Sequence, residues 1–128
     1  RYPPRGTRGV AYMNRGADFG AGAAPERDVL VAIQIETRGA LQEAREIAAC
    51  DGVDVLFVGP ADLGAALGTS ELPLDAIVDA AQAEGKAAGL FTRTHEDAER
   101  ALERGFRFVT VGADSFFLAE AARAAAAP

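Results

Sequence analysis

The chain is poor in the residues that most often announce a mechanism, with one cysteine, one histidine and, at Lys86, one lysine among its 128 residues. A lone Cys50 leaves no internal disulfide to form and favours a reducing setting, so a cytoplasmic location is expected. Because Cys50 falls near the end of a predicted helix, it reads as a small structural residue. No apolar run approaches the roughly 18 residues of a membrane span, and the opening "RYPPRG" lacks the charged-then-apolar layout of a secretory signal. Positive charge is scarce too. The balance of 13 basic against 19 acidic residues leaves −6, which argues against the basic stripe of a nucleic-acid binder. A small-molecule partner fits better, with no nucleic acid and no membrane.

With 49% of its residues hydrophobic and 25% charged, the chain has the composition of a globular domain with a core. It opens in "RYPPRGTRG", a loop punctuated by Pro and Gly, and does not begin with Met, so a fragment of a longer protein is expected. Residues 1–28 read as a loop-rich opening segment. From residue 29 the pattern is regular. A strand over Val29–Ile35 leads into a helix over Arg38–Ala49, with Leu41, Ala44, Ile47 and Ala48 at helical spacing. A strand over Val53–Val58 leads into a short helix opened by Pro60 and Asp62 and a longer one over Leu74–Glu84. "KAAGLFT" is a third strand, followed by a helix that Thr94 and Asp97 begin at capping-box spacing and Gly105 stops. "FRFVTVG" and "ADSFFLAEAARAAA" complete a fourth unit.

Four tandem βα units imply an α/β fold with a parallel sheet and right-handed crossovers. An open doubly wound sheet and half of a (β/α)₈ TIM barrel both fit. A whole barrel needs about 250 residues, so residues 29–128 are expected to supply the last four βα units, a partial barrel. Either fold places its chemistry at the carboxyl ends of the strands.

Two carboxylates fall there. In "LVAIQIETRG" the period of two turns Gln34 and Glu36 to one face at the strand's end. In "VDVLFVGPADLG" the next strand ends in Gly59 and Pro60 and presents Asp62 in a first helical turn, where the N–H groups of Ala61 and Asp62 lack helical partners. Hard divalent cations take one or two carboxylates plus water and substrate oxygens, and free helix N–H groups favour an anion. Glu36 and Asp62 are therefore candidate metal ligands, with Gln34, Ala61 and Asp62 as candidate substrate contacts. A Glu36–Arg38 ion pair and an ordinary first-turn role for Asp62 remain open at this point. The coincidence of three polar groups at successive strand ends favours the site.

"RYPPRGTRGVA", "VAIQIETRGAL", "GVDVLFVGPADLGAALG" and "FVTVGADSFFLAEAA" resemble, in order and over nearly the whole chain, the second half of the HpcH/HpaI aldolase family. The resemblance implies a metal-dependent (class II) lyase on a (β/α)₈ barrel that cleaves 4-hydroxy-2-oxo acids to pyruvate and an aldehyde through a metal-stabilised enolate. It implies Mg²⁺, Mn²⁺ or Co²⁺ on Glu36 and Asp62, a substrate-binding role for Gln34, and the backbone of Ala61 and Asp62 as receiver of the pyruvate carboxylate. The catalytic histidine and arginine of the family come from the first half of the barrel, so no catalytic base is assigned here. A homo-oligomer is expected of the full-length form. A citrate-lyase-type CoA-ester lyase, or a non-catalytic metal-binding or oligomerising fragment, are the alternatives.

The remaining candidates rank lower. His95 in "RTHED" matches no catalytic motif and reads as a helix first-turn residue. Lys86 precedes its strand, at the end opposite the chemistry, which disfavours a Schiff-base mechanism. Arg5 and Arg8 could meet an acidic substrate, with Arg8 the better placed. In "VGADS", Gly112 to Ser115 read as an ordinary helix start rather than a phosphate cradle. Phe116, Phe117 and Leu118 cannot all face one core, so one of them is expected to meet another subunit or the rest of the barrel.

Overall fold

The computed structural model describes residues 6, 7, 9, 15, 19 and 29–126. The chain divides into two compact units, Arg1–Leu30 and Val31–Pro128. Most of the first unit, including the Arg5 and Arg8 candidates, lies outside the described residues.

Strand and helix alternate through the second unit: β1 (Ala32–Ile35), α1 (Arg38–Gln42), α2 (Ala44–Ala49), β2 (Val55–Val58), α3 (Pro60–Leu67), α4 (Leu74–Ala83), β3 (Ala87–Thr92), α5 (His95–Glu103), β4 (Phe108–Val111) and α6 (Asp114–Ala126). All neighbouring strands are parallel, in the order β1-β2-β3-β4, with Ile35 beside Val58 and Val58 beside Leu90. That order separates the two architectures. A doubly wound sheet reverses direction at a switch point, whereas an order that only advances, with right-handed crossovers, puts successive helices on one face, as in a barrel.

The core is built accordingly. Ile35, Leu56, Val58, Ala88 and Leu90 turn to one face and pack with Ala44 and Ala48 of α2, Leu63 of α3, Ile77, Val78 and Ala81 of α4 and Ala101 of α5. The opposite face carries Gln34, Phe57, Gly89 and Phe108 in one row. Phe57 and Phe108 meet edge to face across Gly89, their ring centres 5.9 Å apart. A Cβ on Gly89 would lie 2.7 Å from Phe57 and 2.9 Å from Val55, so only glycine leaves room for that contact.

Local chemistry explains the helix ends. Thr37 and Thr94 cap α1 and α5, their hydroxyls accepting from the N–H groups of Ala40 and Asp97 at 3.1 Å each. Gly105, beyond α5, takes φ +109°, a left-handed value that L side chains resist.

Three details depart from the expected pattern. β1 begins at Ala32 because the Val31 N–H donates to the Asp54 side chain at 2.8 Å, where a strand partner's carbonyl would otherwise accept. The helix expected over 38–49 is broken at Glu43, at φ −100° and ψ 16°. Hydrogen bonding runs through the break from Glu43 N–H to Gly39 and from Ile47 N–H to Glu43. Cys50 is exposed rather than tucked into the core. The helix ends one residue earlier, and the extended backbone at Cys50 carries its side chain off the packed face. Among the described residues no helix is long and apolar enough to cross a membrane.

Candidate active site

Pairing of β1 with β2 brings the two carboxylate motifs together. Ile35 pairs with Val58, so Glu36 and Gly59 are the next residues on adjacent parallel strands, both at the carboxyl edge. Glu36 is half-buried there, and its side chain lies flat on the Gly59 backbone. A Cβ added at Gly59 would meet Glu36 Oε1 at 2.5 Å and Cγ at 2.7 Å. Gln34, on the same face of β1, donates from Nε2 to Glu36 Oε1. Its amide thereby fixes one carboxylate oxygen and leaves the other free.

Gly59 is also the N-cap of α3, with Pro60 in the first turn and no side chain capping the helix. Proline lacks an N–H and glycine has no side chain to offer, so the N–H groups of Ala61 and Asp62 are left open at the positive end of the helix dipole. Asp62 projects from that turn and is exposed. Glu36, Gln34, Ala61 and Asp62 line one cavity of about 780 Å³ at the carboxyl edge of the sheet.

The ion-pair alternative for Glu36 is not what the structure adopts. Arg38 turns away and donates to the carbonyl of Ala66, at 3.3 Å, at the far end of α3, where a cation also suits the helix dipole. Glu36 therefore keeps Gln34 as its polar partner. Among the described residues no three His, Cys, Asp or Glu side chains converge as a metal cage. Two carboxylates open to solvent fit a hard cation completed by water and substrate oxygens, the arrangement Mg²⁺ prefers.

His95 is the first residue of α5, strongly exposed, with Glu99 3.8 Å away. Lys86 directly precedes β3, at the amino end of the sheet. Gly112 and Asp114 form a helix start in which Asp114 accepts from the Ser115 N–H at 2.7 Å.

Phe91 and Arg93 line the cavity without any sign in the motifs, and Phe116, marked in the sequence only as a packing residue, lines it with them. Phe91 continues the row of Glu36 and Gly59, and Arg93 stands just past the end of β3. A strand end followed by arginine is the one sequence feature that could have pointed there. The cavity rim is held by ion pairs. The Thr94 hydroxyl and then Arg100 keep the Asp97 carboxyl below its usual range, and Arg104 does the same for Asp75.

Residues 1–121 match the family profile described as HpcH/HpaI aldolase/citrate lyase. A 5-keto-4-deoxy-D-glucarate aldolase of Shigella boydii is 38% identical, over 89% of this chain and 49% of that protein. A solved HpcH/HpaI aldolase/citrate lyase family protein from Burkholderia cenocepacia superposes with a TM-score of 0.79 at 38% identity, over 98% of this chain and 55% of the other. An HpcH/HpaI aldolase from Desulfitobacterium hafniense gives 0.76 at 26%, over 100% and 57%. The four βα units are thus a partial TIM-barrel-type fold. The chain spans about half the length of the curated relatives it matches.

Proposed function

Because the chain belongs to the HpcH/HpaI aldolase/citrate lyase family, we propose that it supplies the metal- and substrate-binding part of a carbon–carbon lyase that cleaves 4-hydroxy-2-oxo acids to pyruvate and an aldehyde. The observation that supports this most is the sharing of one cavity by Glu36, Asp62, Gln34 and the uncapped start of α3.

Glu36 and Asp62 would hold the divalent cation, and their oxygen donors suit Mg²⁺, Mn²⁺ or Co²⁺. When bound, the cation supplies Lewis-acid polarisation of the 2-oxo group. The chain's own residues do the rest of the binding. The Ala61 and Asp62 N–H groups receive the substrate carboxylate, with the α3 dipole favouring its charge. Gln34 orients Glu36 and stands within the same cavity to hold a substrate oxygen. His95 stands exposed at the start of α5, so proton transfer is assigned to a histidine, and stabilisation of developing charge to an arginine, of the kind that the first half of the family's barrel supplies. Homo-oligomerisation belongs to the same proposal, supported by Phe117 and Leu118, 57% and 72% exposed on α6.

The test is an assay of the protein encoded by the full reading frame. Pyruvate release from a 4-hydroxy-2-oxo acid is expected to stop with EDTA and return with Mg²⁺ or Mn²⁺. Turnover indifferent to chelation would overturn the metal reading, and cleavage of a hydroxyacyl thioester instead of the free acid would redirect it to CoA-ester chemistry. The 128-residue chain alone is expected to show no turnover.

A further inference from the structure

The arginines of this unit are unequally committed. Arg45, Arg100 and Arg104 each pair with carboxylates. Arg38 and Arg93 have no carboxylate within ion-pair distance among the described residues, and Arg93 stands instead over the Phe116 ring. Arg38 makes a different commitment. Its Nη2 donates to two carbonyls in the last turn of α3, that of Ala66 at 3.3 Å and that of Leu67 at 3.5 Å.

We propose that Arg38 is a positioning residue for the cation site, which by clasping the last turn of α3 holds Asp62 and Glu36 at a fixed separation. This rests on the reading of the site given above.

Chemistry and placement support it. Arg38 is the first residue of α1, directly after the Thr37 cap, where the helix dipole is positive and a cation gains nothing from its own helix. At the end of α3 the same cation meets negative carbonyls. That helix closes on Gly68, at φ 72°, and the N–H groups of Gly68 and Thr69 both donate to the Gly64 carbonyl. The carbonyls of Ala66 and Leu67 belong to the last turn, which lacks helical donors, and they go to Arg38. The back of α3 is thus closed by a side chain from another segment, while its front stays uncapped beside Asp62. Leu63, fully buried, and Leu67, packed against the core one turn on, pin α3 along one stripe. A helix pinned along a stripe can still roll about it, and a roll would swing Asp62, next to Leu63, toward or away from Glu36. The grip of Arg38 on the last turn resists that roll. Because only Thr37 stands between Glu36 and Arg38, the same grip ties the Glu36 segment to the helix that carries Asp62.

The test titrates Mn²⁺ into the protein encoded by the full reading frame and measures the urea midpoint alongside. Arg38→Met, which keeps an unbranched side chain and removes the donor, is expected to weaken Mn²⁺ binding roughly tenfold, the lower end for removal of an outer contact. Charge alone predicts the opposite sign, because taking a positive group away favours a cation. Arg38→Lys, which keeps the charge and one donor group, should recover part of the loss. Unchanged or tighter binding in Arg38→Met would overturn the inference and leave the cation site in place. So would an Arg38→Lys variant that binds no better than Arg38→Met, or a lowered midpoint with Mn²⁺ affinity intact, which would make the contact structural only. A wild type that takes up no Mn²⁺ would sink the cation reading itself, and this inference with it.

Discussion

The Glu36 side chain rests on the backbone of Gly59 with no space for a β-carbon between them. Gly59 has φ −93° and ψ 93°, a conformation open to alanine, so a substitution there acts through Glu36 and not through backbone strain. Gly59→Ala is expected to push the carboxylate off the β2 edge and weaken Mn²⁺ binding by about tenfold or more, a loss of the size seen when a ligand's orienting contacts are removed. Paramagnetic titration of Mn²⁺, with circular dichroism to confirm the fold, checks it. Wild-type affinity in the variant would show that Glu36 does not hold the ion.

Glu36→Gln and Asp62→Asn preserve size and hydrogen bonding while removing charge. If the two side chains bind one cation, each should lower affinity and kcat/KM by at least ~100-fold, beyond the effect of losing an outer contact. Gln34→Ala, which removes the bond to Glu36 together with the proposed hold on a substrate oxygen, should fall between them and wild type in cation affinity and also raise KM. A KM left at the wild-type value would remove Gln34 from the substrate contacts.

Gly89→Ala addresses the fold. The added methyl would lie 2.7 Å from Phe57, 2.9 Å from Val55 and 3.1 Å from the Phe108 carbonyl. Overpacking of this kind costs about 1–3 kcal/mol, which should appear as a lower urea midpoint with an unchanged slope. An unaltered midpoint would mean that the Phe57–Phe108 contact is loose enough to yield.

Acid should loosen the α4–α5 rim. The folded state holds the carboxyls of Asp97 and Asp75 below their usual 3.8, so below that value the unfolded chain binds more protons. The stability these groups contribute is present above pH 3.8 and is lost as pH falls through their folded values. Both pairs are exposed and screened by salt, so the effect at neutral pH is small. Urea midpoints measured downward from pH 4.5 should drop less steeply in an Asp75→Asn, Asp97→Asn double variant than in wild type. Parallel slopes would remove these pairs as the cause.

Much of this was legible along the chain because its causes are local. The threonine cap of α5, the Gly105 stop and the shared face of Gln34 and Glu36 follow from a few adjacent residues and the period of a strand. The exposure of Cys50 was not legible, because a single residue at the helix end decides whether its side chain meets the core. The late start of β1 was not legible because it depends on Asp54 reaching Val31 on the neighbouring strand.

The sequence by itself determined the order of strands and helices, the two carboxylates and the positions of both at strand ends. These depend on backbone periodicity and on side-chain chemistry that each segment carries alone. Tertiary structure decided which sheet order the strands adopt, that Glu36 lies on Gly59, that Arg38 turns to α3, and that Arg93 reaches the cavity without an acidic partner among the described residues. Each of those is settled by contacts between segments far apart in the chain, where steric fit and competition among charges choose one arrangement from several that local pattern permits.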